Sequence, residues 1–261
     1  MDMNKLRKNQ KSVLYPLIIL LLATLGYFAT QILTTPHSAS PAATEALSSA
    51  IEEKPLPFKN QRQMVLGRLD SLSRATNAHI QLKNAQEPHL KREPLTYNPV
   101  GWHNYHFYYK TSDGQTQKAW LMSRGHLVGY QFSGLNNEPK NLVPETMCFN
   151  GGNYSGMNDS NSTSMLYYEN RLDSWLANHP HYYLDYQVTP LYHGNELVPR
   201  QIRLSYVGMD QKGQLLSITL GGPLEKKGKN GTTEVILQNQ SPNAKINYDT
   251  GTAINTVKKA Y

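Results

Sequence analysis

Fewer than fifty residues of this chain hold a set of side chains suited to phosphate chemistry. They are Arg124 and His126 in Ser123-Arg124-Gly125-His126, then Asn141, then Asn150 in Cys-Phe-Asn-Gly-Gly, then Glu169. A histidine with a near-neutral pKa can take a proton from water. An asparagine amide and a glutamate offer hard oxygens to a hydrated Mg2+, which keeps several waters and needs few protein ligands. A guanidinium matches phosphate with a two-pronged fork. The chemistry within reach is metal-assisted hydrolysis of a phosphodiester.

The order of these blocks resembles the DNA/RNA non-specific endonucleases, the ββα-metal or His-Me finger nucleases. Their signature runs Asp-Arg-Gly-His, then Asn-(Ile/Leu)-x-Pro-Gln, then an Asn-Gln-Gly-like turn that opens the metal helix. The matching segments are Ser123 to His126, Asn141-Leu142-Val143-Pro144-Glu145 and Asn150-Gly151-Gly152. Further blocks resemble the secreted DNases and DNA-uptake nucleases of Gram-positive bacteria. These are Asn98 to His103, Gly129-Tyr130-Gln131 with Gly134, Val188 to Val198, and Gln240 to Gly251. A bare Arg-Gly-His is a weak signal; a series of ordered blocks between about Phe58 and Ala253 is a strong one.

The resemblance implies a role for each position. His126 is the general base that activates water, Arg124 contacts phosphate, and Asn150 is the direct ligand of Mg2+ (or of Mn2+ in its place). Glu169 reaches the metal through a bound water. Asn153 is the alternative to Asn150 if the register differs. Asn141 and Asn137 support the site or touch substrate, though either could equally cap a loop. Gly125, lacking Cβ, tolerates unusual dihedrals and lets backbone approach the substrate. Ser123 departs from the family aspartate and carries no charge. An outer-shell loss of this kind typically costs about 10–100-fold, so weaker metal affinity is expected.

These residues need elements to hold them. Trp102–Tyr109 is aromatic and β-prone, and Asp113-Gly114 predicts a hairpin turn. The strand around Gln117–Met122 then delivers Ser123–His126 at its end, and Asn136-Asn137-Glu138-Pro139 reads as a loop. Gly151–Ser164 is nearly all Gly, Asn, Ser, Asp and Thr, and reads as a long flexible loop. Met165–Ala177 follows as a helix with Leu166, Leu172, Trp175 and Leu176 apolar and Ser164 as a cap. Gln61–Ala75, with Met64, Val65, Leu69 and Leu72, has a helical spacing. Tyr182–Leu191, Ile202–Met209, Gln214–Leu220 and Glu234–Gln238 alternate as antiparallel strands. The fold class is α+β with a ββα-metal core. His103 with His106, and His179 with His181, lack further ligands at metal spacing and read as strand and helix-end residues.

The chain has 261 residues, a net charge of +7 and a single cysteine, Cys148. The charge suits a polyanionic partner; the resemblance implies that this partner is DNA, with RNA left open as a second substrate. One cysteine makes neither a disulfide nor a zinc cage, and Cys148 reads as a buried small hydrophobe. Val13–Leu33 is uncharged and mostly apolar, roughly 31 Å long at about 1.5 Å per residue. Lys5, Arg7, Lys8 and Lys11 precede it, and no charge follows until Glu45. The charge bias places the N-terminus inside and the rest outside, as a signal-anchor; the competing reading is a cleaved secretion signal. The expected domains are 1–33 as stub and transmembrane helix, 34–57 as an extracellular Ala/Ser/Thr/Pro-rich linker, and 58–261 as the endonuclease domain. A rival from another class is a catalytically weakened surface protein that binds DNA for uptake, and Ser123 is the residue that keeps it alive.

Overall fold

A computed structural model describes residues 53–89 and 91–259. The Val13–Leu33 run and most of the 34–57 linker lie outside the described residues. Among the described residues no helix is long and apolar enough to cross a membrane.

The backbone of the domain is an antiparallel sheet. Its strand order is β1 (Gln63–Leu66), β2 (Ala78–Leu82), β7 (Tyr183–Leu191), β8 (Gln201–Met209), β11 (Thr233–Gln238) and β10 (Lys226–Lys227), with β9 (Leu215–Leu216) also paired to β8. The central pair β7 and β8 runs nine residues in register, from Tyr183 opposite Met209 to Leu191 opposite Gln201. One face of the sheet buries Ile80, Leu82, Leu184, Tyr186, Val188, Leu204 and Tyr206 against the helix α3 (Met165–Asn178), whose Leu172 and Leu176 join the same core. The other side of the sheet carries polar pairs, including His79 Nε2 to Asp185 Oδ1 at 2.6 Å. Asp185 Oδ2 also accepts from the backbone N of Leu56 at 3.0 Å, and Glu53 pairs with Arg203 at 3.0 Å. Residues 53–57, expected to be linker, are therefore docked on the sheet.

Three further two-stranded pieces surround the sheet: β3 (His106–Lys110) with β4 (Thr116–Trp120), β5 (Met122–His126) with β6 (Leu142–Thr146), and β12 (Ala244–Ile246) with β13 (Ala253–Asn255). The turn between β3 and β4 contains Gly114 at φ 81°, the left-handed geometry that Asp113-Gly114 predicts. Two short helices complete the core, α1 (Tyr130–Ser133) and α2 (Met147–Gly151). The helix α3 starts where the sequence places it, with Ser164 Oγ accepting from Tyr167 N.

Two expectations fail. Gln61–Ala75 is not a helix: Met64 to Leu66 pair with Ile80 to Ala78 in the sheet edge, and a turn with Ser73 at φ 62° follows. Its apolar spacing fits a helix, but pairing with β2 overrides local preference. Gln214–Leu220 forms only the two-residue strand β9.

Candidate active site

β5 carries the Ser-Arg-Gly-His run inside the strand rather than past its end. Ser123 pairs with Glu145, Arg124 with Pro144, Gly125 with Val143 and His126 with Leu142 on β6. The ladder fixes the direction of each side chain. Beyond His126, Leu127 N donates to Asn141 O at 2.9 Å, and the chain then turns into α1.

The histidine is nearly enclosed, at 7% exposure. Its Nε2 lies 3.0 Å from the carbonyl oxygen of Asn136. A carbonyl can only accept, so Nε2 carries the proton and Nδ1 keeps its lone pair. Burial is the main cause that lowers the His126 pKa to about 4; the charge of Arg92 lowers it further, against the carbonyl contact, which raises it. The ring is a neutral imidazole at neutral pH, the form a base needs.

His126 lines a cleft of about 510 Å³ with Ser123, Asn150 and Glu169. Asn150 stands in the last turn of α2, not at the start of a turn; Thr146 Oγ1 caps that helix from Phe149 N, and Gly152 at φ 78° ends it. Asn150 Nδ2 donates to Ser123 Oγ at 2.8 Å, which leaves its amide oxygen available to the cleft. Glu169 sits on α3 at 9% exposure. Its Oε1 accepts from Gly129 N at 2.8 Å and its Oε2 from Gln131 Nε2 at 3.4 Å. Desolvation raises its pKa to about 7, against those hydrogen bonds and the Arg92 charge, which lower it.

Two glycines are dictated by this layer. A Cβ on Gly125 would fall 2.2 Å from Glu145 Cδ, and one on Gly129 would fall 2.7 Å from Glu169 Oε1. Gly125 therefore does not serve unusual dihedrals, as its backbone is ordinary strand; it makes room for a carboxyl beneath it. That carboxyl, Glu145, is 0% exposed, and neither oxygen has a hydrogen-bond partner. Burial, and secondarily the charge of Glu169, holds its pKa well above the carboxylate range. The Tyr186 hydroxyl, also without a partner, is buried near both glutamates, whose charges add to the effect of burial on its own pKa.

Other residues singled out in the sequence sit elsewhere. Arg124 is absent from the cleft lining; its Nε donates to Asn98 Oδ1 at 2.6 Å and its guanidinium stacks on Trp102 at 4.2 Å. Asn141 is fully buried, and its amide bonds both ways to Val128, receiving from the backbone N at 3.0 Å and giving to the backbone O at 2.9 Å. Asn137 Oδ1 accepts from Thr96 N at 2.7 Å and Tyr97 N at 3.0 Å. Asn141 and Asn137 are thus loop clamps in this arrangement. Asn153 Oδ1 accepts from the adjacent Tyr154 N, and Asn153 does not line the cleft. Sequence reasoning missed Arg92, Gln131 and Asp173, which do. Gln131 belongs to the Gly129-Tyr130-Gln131 segment; Arg92 lies in a polar stretch with no spacing signal. Gly151–Ser164 is irregular but tied down, with Asn158 N to Gly151 O at 2.8 Å and Asn161 Nδ2 to Gly152 O at 3.1 Å. Cys148 is half-buried rather than fully so.

A second cleft, of about 470 Å³, lies along β12, β13 and Tyr248 and contains none of the predicted residues.

The model of the DNA/RNA non-specific endonuclease family matches residues 57–210. A solved extracellular nuclease is 50% identical over 79% of this chain and all of its own, with a TM-score of 0.64. An extracellular endonuclease is 49% identical over 78% of this chain and 92% of its own, with a TM-score of 0.65. NucA from Streptococcus agalactiae, solved with magnesium ion bound, shares the fold at 20% identity, 78% and 81% coverage and a TM-score of 0.53. Among curated proteins there is no match. The chain belongs to the DNA/RNA non-specific endonuclease family.

Proposed function

We propose that this nuclease hydrolyses DNA, and RNA as well, outside the cell, with little sequence preference and with Mg2+ (or Mn2+) as its only cofactor, leaving 5′-phosphate ends. The observation that carries the reading is a buried neutral imidazole in the same cleft as a free amide oxygen and a carboxyl. The two relatives near 50% identity are described as extracellular. Val13–Leu33 on this reading anchors the chain, with the catalytic domain outside.

The donor set fits a hard cation. Asn150 Oδ1 is freed by the contact of its Nδ2 with Ser123, and Glu169 supplies a carboxylate that takes a backbone donor on Oε1 and a side-chain donor on Oε2. Only oxygens face the cleft from these two residues, which suits Mg2+ or Mn2+. Asn150 would hold the ion directly and Glu169 through water; when bound, it supplies positive charge beside the phosphate. His126 Nδ1 takes the proton of the attacking water. The new oxygen–phosphorus bond forms as the bond to the 3′-oxygen breaks; that oxygen takes a proton from solvent and leaves as a 3′-hydroxyl, and the phosphate stays on the 5′ side. Arg92, on the cleft wall, adds charge complementary to the crowded phosphorane. Arg124 is held one layer out, ordered on Trp102, where it meets a flanking phosphate.

The deciding experiment is plasmid nicking by the full-length chain with Mg2+, with EDTA, and with an RNA control. Nicking that requires the metal is expected. A chain that binds plasmid but leaves it intact at every Mg2+ concentration would overturn the enzyme reading in favour of DNA capture.

A further inference from the structure

The β3–β4 hairpin has two unlike faces. Alternation along the hairpin puts Tyr109 of β3 and Ala119 of β4 on the inward side, both buried at 6% and 7% exposure. The same alternation turns His106, Tyr108 and Lys110 outward, opposite Trp120, Lys118 and Thr116. His106 and Trp120 lie ring to ring at 4.7 Å, and Trp120 remains 49% exposed. One rung along, Lys118 Nζ sits 4.7 Å above the Tyr108 ring. At the next rung Lys110 Nζ donates to Thr116 Oγ1 at 2.6 Å. No acidic residue belongs to this face.

The face is therefore a row of rings flanked by two ammonium groups, with successive stations about 7 Å apart. Trp120 is not a lone exposed side chain: His106 packs against it and Tyr108 lies one rung along, and a grouped patch of this kind rimmed by polar residues marks an interaction site. Rings accept unpaired bases by stacking, and lysines accept the phosphates between them. Duplex DNA hides its base faces and cannot use the rings.

The hairpin also adjoins the strand that carries the cleft residues. Trp120 precedes Ser123 by three residues, about 10 Å of strand. Leu121 N donates to Tyr105 O at 2.9 Å, and Met147 N donates to Leu121 O at 2.8 Å, so the hairpin is tied to the base of α2. Tyr109 stacks at 4.5 Å on Tyr154, in the segment after Asn150.

We infer that the outer face of β3–β4, centred on Trp120, His106, Tyr108 and Lys118, is a stacking platform for single-stranded nucleic acid leading into the cleft. The inference rests on the nuclease reading for its substrate class. It adds that unpaired strands are held by contacts that a duplex does not make.

The test measures binding and cleavage separately on the full-length chain. Fluorescence anisotropy with a labelled oligothymidylate and with a labelled duplex, in EDTA, reads affinity without turnover. Trp120→Ala should weaken oligothymidylate binding about tenfold, since one base–ring stack is worth roughly 1–3 kcal/mol, and leave the duplex within about twofold. Trp120→Phe should restore most of the loss, and His106→Ala should act in the same direction. Lys118→Ala should lower the salt dependence by about one phosphate contact. Duplex nicking by Trp120→Ala at the wild-type rate shows that the fold and the chemistry are intact. Equal losses on both probes, no loss on either, or a Trp120→Ala effect confined to self-association in sedimentation would overturn the platform. Failure of the nuclease reading would instead appear as absent cleavage with the oligothymidylate preference unchanged.

Discussion

Asn150 Nδ2 donates to Ser123 Oγ at 2.8 Å, so a side chain of β5 sets the orientation of an amide on α2. That one bond turns the amide nitrogen inward and leaves the oxygen for a cation. A serine can do this without charge, which explains how the position departs from the family aspartate while the arrangement survives.

Changing Ser123 should therefore move metal affinity in both directions. Ser123→Ala removes the acceptor and should raise half-maximal Mg2+ about tenfold, the lower end of what an outer contact to a metal ligand is worth. Ser123→Asp keeps an acceptor and adds a charge, and half-maximal Mg2+ should fall several-fold. Nicking rates titrated against Mg2+ read both; an unchanged midpoint in the two variants would show that this bond does not govern the ion.

His126→Ala should lower kcat by roughly 10²–10⁴-fold, the span of general-base catalysis, with duplex affinity almost unaltered. The ring touches Asn136 O and lines the cleft, but it holds no charge for the substrate at neutral pH. Single-turnover cleavage alongside anisotropy separates the two. A variant that keeps more than about a tenth of the rate would remove His126 from the chemistry.

The pH dependence follows from two opposite shifts. His126, lowered to about 4 chiefly by burial, stays unprotonated across the working range. Glu169, raised to about 7 by burial, loses its proton only near neutrality, and an ion must displace that proton to bind beside it. Half-maximal Mg2+ should thus fall about tenfold from about pH 6 to 8, as one proton competes with the metal. In Glu169→Gln the slope should vanish along with part of the affinity. An acid limb that persists in Glu169→Gln would assign the titration to another group.

Glu145 makes a stability prediction. Unfolded, its carboxyl ionises in the ordinary range; folded, burial keeps the proton on well above that range. The unfolded chain therefore gives up its proton first as pH rises, and stability falls through that window. Glu145→Gln keeps the shape without an ionisable proton. Its Tm advantage over the parent, measured without metal, should grow by several degrees from about pH 5 to 8, at roughly 2–4 °C per kcal/mol for a domain of this size. A constant offset across that range would mean that Glu145 does not titrate on unfolding.

Local signals strong enough to survive packing were legible in the sequence. Ser164 capping an apolar 3.6-residue period marked α3, and Asp113-Gly114 between β-prone runs marked the β3–β4 turn. The motif brought His126, Asn150, Ser123 and Glu169 together because each lies on an element whose order it reflects. What the sequence hid depends on partners distant in the chain. Met64 and Val65 look helical until β2 supplies a ladder for them. Arg124 looks like a cleft residue until Trp102 offers a flat surface for its guanidinium. Glu145 looks like a polar strand position, and only the absence of a Cβ on Gly125 shows where its carboxyl goes.

The two bonds between the Asn141 amide and Val128 have a meaning of their own. A primary amide presents the same donor and acceptor as a peptide unit, so this side chain acts as a spare piece of backbone. It adds one rung to the β5–β6 ladder after the real strand has ended, so that neither the N–H nor the C=O of Val128 is left open where the chain swings toward α1. Gly129, one residue further, is held in line to meet Glu169. Aspartate at 141 would keep the acceptor and lose the donor, and the rung would be half built. A residue that a motif marks as chemical can thus be kept for its likeness to the main chain.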